Sequence, residues 1–142
     1  MVEAAIAGNS AFLLSRVDLD RQPPYYAAES LEILRERRPE DELFYLIGAD
    51  SLCDLPDWYQ PQRLLDNLDG VGVMPRPGAQ PDLEQLAGYF PGIDEQVIYL
   101  PAPRVDISSS LIRERAANNQ PYRYFLPEAV RAILVEEKLY LP

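Results

Sequence analysis

Residues 42–50 read ELFYLIGAD, an almost uninterrupted apolar run from Leu43 to Ile47 that stops at Gly48. Such a run, without polar alternation and closed by a glycine, marks a strand buried on both faces, as in a parallel sheet covered by helices. Two later stretches have the same character: GVGVMPRPG (70–78) and QVIYLPAP (96–103). Between and around them lie helical patterns. AAESLEILRER (27–37) is amphipathic with Leu31, Ile33 and Leu34 inward, PDLEQLAGYF (81–90) is a short helix, and LPEAVRAILVEEKLY (126–140) has Pro127 and Glu128 at its start. Residues 51–69 give a loop with one helical turn and then a helix from about Pro61. Strands alternating with helices at this spacing predict an α/β fold with a doubly wound parallel sheet, in which ligands sit at the carboxyl ends of the strands.

Upstream of this frame, MVEAAIAG (1–8) reads as a short helix stopped at Gly8-Asn9, and AFLLSRVDLD (11–20) reads as strand-like, with Phe12, Leu14, Val17 and Leu19 on changing faces. The helix lacks a capping residue before Met1 and looks like the tail of a longer one. All 142 residues read as one domain, with no internal repeat.

The formal charge of −10, from 13 Lys and Arg against 23 Asp and Glu, argues against a broad nucleic-acid surface. A phosphorylated ligand would be held by a few arginines and by backbone. No stretch approaches the roughly 18 to 20 apolar residues of a membrane span, and the lone Cys53 has no disulfide partner, so a soluble, cytoplasmic protein is expected. Cys53 itself reads as a small buried residue. The sequence contains no histidine, which removes that residue from every acid–base, nucleophilic and metal-ligand role in these 142 residues.

The residues with chemistry gather after the strands. Gly48 admits close approach of a ligand or simply makes a turn, and Asp50 accepts from ribose hydroxyls or caps the next helix. Trp58, the sole indole, is a stacking plate for a flat ring or packs over the sheet edge. Arg76 and Arg104 face phosphate or carboxylate, or are ordinary surface arginines. Asp50, Asp54 and Asp57 do not follow a calcium-loop spacing, so no protein-built metal site is expected. In DISSSLIRER (106–115), the serines Ser108, Ser109 and Ser110 stand at a helix start with Arg113 one turn on. One serine suffices for a cap; three small hydroxyls and an arginine over free N–H groups also suit a phosphate. No nucleophile with a base partner emerges.

Taken together, LFYLIGADSLCDLPDWYQPQRLL, MPRPG, DISSSLIRER and YFLPEAVRAILVEEKLY resemble the nicotinate-nucleotide adenylyltransferases, in order and over essentially the whole chain. The resemblance implies a Rossmann-like nucleotidyltransferase that joins ATP and nicotinate mononucleotide into deamido-NAD, releasing pyrophosphate, with Mg²⁺ carried by the ATP phosphates. It further implies that Gly48 and Asp50 hold the adenosine ribose and that Trp58 stacks on the nicotinate ring. The N–H of Tyr59 would meet the nicotinate carboxylate, and Ala27 stands where threonine is common in the family's Y-T-x-D-T-L stretch. Ser108, Ser109, Ser110 and Arg113 would cradle the ATP phosphates.

The family's opening G-x-F-x-P-x-H-x-G-H loop, whose histidines stabilise charge on the transferred phosphate, has no counterpart in a chain without histidine. The expectation is therefore a chain truncated at its N-terminus, lacking the first βαβ unit of roughly 30 residues and inactive by itself. Loss of a central strand would leave inner strand edges bare, ready to pair with a second copy. The alternative is a non-catalytic nucleotide-binding remnant or a domain-swapped binding module.

Overall fold

A computed structural model describes residues 1–103 and 107–141. Along the chain, α1 (Val2–Ile6) is followed by α2 (Ala27–Arg37), β1 (Phe44–Gly48), α3 (Ala49–Cys53), a 3₁₀ turn (Leu55–Asp57) and α4 (Pro61–Asp66). Then come β2 (Gly70–Met74), α5 (Leu83–Tyr89), α6 (Ile93–Gln96), β3 (Val97–Tyr99), α7 (Ser109–Ala117), a second 3₁₀ turn (Arg123–Phe125) and α8 (Glu128–Glu136). Among the described residues no helix is long and apolar enough to cross a membrane.

The chain divides into two compact units, Arg16–Arg104 and Met1–Ser15 with Val105–Pro142. In the first, the three apolar stretches form one parallel sheet in the order β1-β2-β3. Phe44 pairs with Gly70 and Gly48 with Met74 along one ladder, and Val71 with Val97 and Val73 with Tyr99 along the other. Parallel pairing obliges each strand to be followed by a crossover, which α3, the 3₁₀ turn and α4 provide for the first pair and α5 with α6 for the second. Leu52, Leu55, Leu64, Leu65, Val71, Val73 and Ile93 are almost wholly buried in the resulting core. Fully burying one such side chain is worth about 1.5–3 kcal/mol. A polar tie fixes the strand starts: the Asp69 carboxylate accepts from Arg35 at 2.5 Å and from the Leu43 N–H at 2.7 Å. These two donors, Arg35 first, hold the Asp69 carboxyl below its ordinary pKa.

Three expectations need correction. β1 is not buried on both faces: Ile47 is buried and Tyr45 half-buried, whereas Phe44 and Leu46 are 48% and 60% exposed. Only β2 has the two-sided burial expected of an inner strand. It achieves this through its glycines, because a Cβ at Gly72 would stand 2.5 Å from Leu46 Cδ2 and one at Gly70 2.8 Å from the Phe44 ring. Missing side chains on β2 thus let those of β1 lean over it.

Residues 11–20 form turns and irregular backbone in place of a strand. The Asn9 carbonyl and side chain accept from the N–H groups of Phe12 and Ala11, and the Asp20 N–H closes a turn on Arg16. Local hydrogen bonds of this kind compete with a ladder, and Leu13 is left 81% exposed. Cys53, finally, is exposed. The turn that carries it directs Leu52 and Leu55 into the core and leaves Cys53 and Asp54 outward.

In the second unit α1 packs against α8, and Ala116 and Leu134 are buried. α8 starts from Pro127, whose fixed φ of −60° suits a helix entry, and carries Glu128 in its first turn as the sequence suggests.

Candidate functional site

Two features of the unit Arg16–Arg104 are candidates for a site, the first of them at the carboxyl ends of β1 and β2. The first is built by close approach. Asp50, at the start of α3, and Arg76, just beyond β2, form an ion pair of 3.8 Å. A Cβ on Gly48 would collide with the Asp50 carboxylate and stand 3.1 Å from Arg76 Nε. Glycine at 48 is therefore what permits the pair to form over the strand end. Both side chains are more than half exposed, so the carboxylate remains open to hydroxyl donors and the guanidinium to anions.

The second feature is an aromatic cleft of about 270 Å³ lined by Tyr25, Tyr26, Ala27, Tyr45, Trp58 and Tyr59. The PP-YY step and the start of α2 supply one wall, and the loop that follows the Leu55–Asp57 turn supplies the other. Trp58 is half-buried and meets the Tyr45 ring edge-on, with centroids 6.3 Å apart. Tyr26 and Tyr59 are stacked, 3.9 Å apart and 17° from parallel. Burial, and secondarily the negative charge of Asp18, push the Tyr45 hydroxyl above its ordinary pKa, so it stays a neutral donor. A cleft walled by rings, four of them carrying a hydroxyl, suits a flat, partly polar ring.

Of the residues singled out by sequence, Ala27, Trp58 and Tyr59 come together in the cleft, and Gly48, Asp50 and Arg76 come together at the strand ends. Arg104 lies outside the described residues. Tyr25, Tyr26 and Tyr45 were not apparent as site residues; the adjacent tyrosines after two prolines were the only signal, since Tyr45 sits inside a strand and reads as core.

The serines belong to the second unit. Ser108 is the N-cap of α7, its Oγ accepting from the Leu111 N–H at 3.1 Å. One serine thus takes the capping role. Ser110 accepts from Arg113 at 3.1 Å, and Ser109 is exposed in the first turn. Arg113 also lies 6.0 Å from the Tyr140 ring centroid, so its guanidinium is held near the start of the helix with donors to spare.

A parallel sheet with an acceptor and a guanidinium beyond its strand ends, in a unit that also holds a ring-lined cleft, has the arrangement of the α/β nucleotide-binding proteins. Comparison with known proteins narrows this. Residues 1–115 match the family described as cytidylyltransferase-like. The chain is 40% identical over 140 residues to a protein of Roseiflexus sp. (strain RS-1) named "Probable nicotinate-nucleotide adenylyltransferase", a match covering 99% of this chain and 69% of that one. A protein of Dehalococcoides mccartyi bearing the same name is 39% identical over 142 residues, with 69% of its length covered. Among solved structures, the Plasmodium falciparum nicotinic acid mononucleotide adenylyltransferase complexed with APC superposes with a TM-score of 0.66 at 21% identity, covering 95% of this chain and 70% of that one. The chain therefore belongs to the nicotinate-nucleotide adenylyltransferase family of nucleotidyltransferases. It spans a little over two thirds of these relatives' length.

Proposed function

We propose that these residues carry the substrate-binding part of a cytoplasmic enzyme of NAD synthesis that transfers the adenylyl group of ATP to nicotinate mononucleotide. An oxygen of the mononucleotide phosphate attacks the α-phosphorus of ATP, the α–β bridging bond breaks, and its electron pair leaves with pyrophosphate. What supports the reading most is that Ala27, distant in sequence from Trp58 and Tyr59, lines one cleft with them.

In the unit Arg16–Arg104, Trp58 stacks on the nicotinate ring and the Tyr59 N–H meets its carboxylate. Gly48 gives the adenosine ribose access to backbone, and Asp50 accepts from its hydroxyls; Arg76 serves as a contact for phosphate or carboxylate. In the other unit, Ser108, Ser109, Ser110 and Arg113 hold the ATP phosphates, whose charge suits the start of α7. Among the described residues no group of three or more His, Cys, Asp or Glu side chains could hold a metal ion, so the donor set fits a Mg²⁺ that would arrive on those phosphates. When bound, the ion neutralises phosphate charge.

The absence of histidine from the sequence favours a second reading for these 142 residues taken alone, namely binding without transfer, as a monomer or as a pair joined through strand edges. Pyrophosphate release from ATP decides between them. Release that requires nicotinate mononucleotide supports the transferase reading, and binding of the mononucleotide with no release supports the second. Failure to bind either compound overturns both.

A further inference from the structure

One side chain of the unit Arg16–Arg104 donates to five acceptors and belongs to no part of the site so far described. Arg21 is 16% exposed. Its Nη1 donates to the Pro24 carbonyl at 3.0 Å and to Glu29 at 2.5 Å. Its Nη2 donates to Asp18 at 3.0 Å, to the Tyr26 carbonyl at 3.2 Å and to Ser30 Oγ at 2.9 Å. The buried Ser30 bridges the same groups, donating to Asp18 and standing 3.2 Å from the Tyr26 carbonyl. The guanidinium also lies 5.4 Å from the Tyr25 ring centroid.

Two of those acceptors are the backbone carbonyls immediately before and within the Tyr25–Tyr26 step, which forms one wall of the aromatic cleft. The segment is otherwise irregular: it lies between the Arg16–Asp20 turn and the first turn of α2, and Tyr26 is the N-cap of α2 without a side-chain cap. A planar fork with several fixed donors can hold two carbonyls and two carboxylates at once, which a lysine ammonium on a flexible stem cannot do. Tyr26, whose carbonyl the guanidinium holds, is the residue that stacks on Tyr59.

We propose that Arg21 is a positioning residue for the cleft: it fixes the Tyr25–Tyr26 wall and so sets the grip of the cleft on the flat ring of its ligand. The ligand part rests on the reading of the cleft as the nicotinate site. The wall part does not.

The test compares the full chain with Arg21→Lys, which keeps the charge beside Asp18 and Glu29, and with Arg21→Met. Near-ultraviolet circular dichroism reads the tyrosine stack, far-ultraviolet dichroism the helices, and calorimetry the affinities for nicotinate mononucleotide and ATP. Arg21→Lys is expected to change the near-ultraviolet tyrosine signal of wild type, to which nine tyrosines contribute, while keeping its helical signal. Its dissociation constant for nicotinate mononucleotide is expected to rise about tenfold, with that for ATP changing less than about twofold. Arg21→Met is expected to show the same pattern or to lose helix as well. An unchanged tyrosine signal in Arg21→Lys overturns the proposal, as does an equal weakening of both ligands. If wild type binds no mononucleotide, the nicotinate reading fails and the dichroism alone decides the role of Arg21.

Discussion

The two units are stabilised in different ways. In Arg16–Arg104 a hydrogen-bonded sheet anchors helices over a continuous core, and charged ties such as Arg35 to Asp69 and Arg63 to Glu32 join elements distant in sequence. Among the described residues of the other unit only Ala116 and Leu134 are buried apolar side chains, and ion pairs such as Arg131 to Glu128 are local. Local exposed pairs contribute little. The aromatic cleft is thus set in the firmer unit and the serine-rich helix start in the softer one, which should open at lower free energy.

The largest test of this contrast is a core truncation. Leu52→Ala, at a side chain with no exposure, is expected to cost about 2–5 kcal/mol and to lower the denaturant midpoint of the sheet unit. Leu134→Ala should instead speed amide exchange in α7 and α8 while leaving β2 protected; equal loss of protection in both units would break the contrast. Next comes Gly72→Ala, which forces Leu46 off β2 and is expected to cost about 1–3 kcal/mol. Since Leu46 is 60% exposed, a cost near zero would show that it swings away freely.

Smaller still is Ser108→Ala, which removes the cap of α7 at about 1 kcal/mol. Its effect on exchange should be confined to the second unit. The smallest effect is one of pH. The folded Asp69 pKa lies below its unfolded value, so its contribution is present above the ordinary carboxylate range and lost as pH falls through the folded value. Asp69→Asn is expected to flatten the acid limb of the stability curve, and an acid limb identical to wild type would show that the tie to Arg35 and Leu43 carries no weight.

The same contrast governs what could be read beforehand. β1, β2 and β3 were legible because unbroken apolar runs between turn residues permit little else, and α2 because its apolar spacing and its ends agree. The serines of α7 were legible as a helix start for the same local reason. Residues 11–20 misled because apolar content without alternation does not specify a strand, and a turn at Asn9 was available. Cys53 misled because a five-residue helix followed by a 3₁₀ turn decides inward and outward by geometry that periodicity does not resolve. The short α6 in PGIDEQ was passed over for the same reason. Arg21 carries no signal in the sequence, since only folding of the 18–30 segment brings its five acceptors together.

The most direct test of the central claim, that the Trp58 cleft receives the pyridine ring, is a titration of the full chain with nicotinate mononucleotide followed by tryptophan fluorescence. Trp58 is the sole tryptophan, so the signal reports on the cleft alone. Saturable quenching below about 1 mM, the usual upper range for a substrate, is the predicted result. Emission unchanged by the mononucleotide at that concentration, in a chain that retains its folded dichroism, would contradict the account.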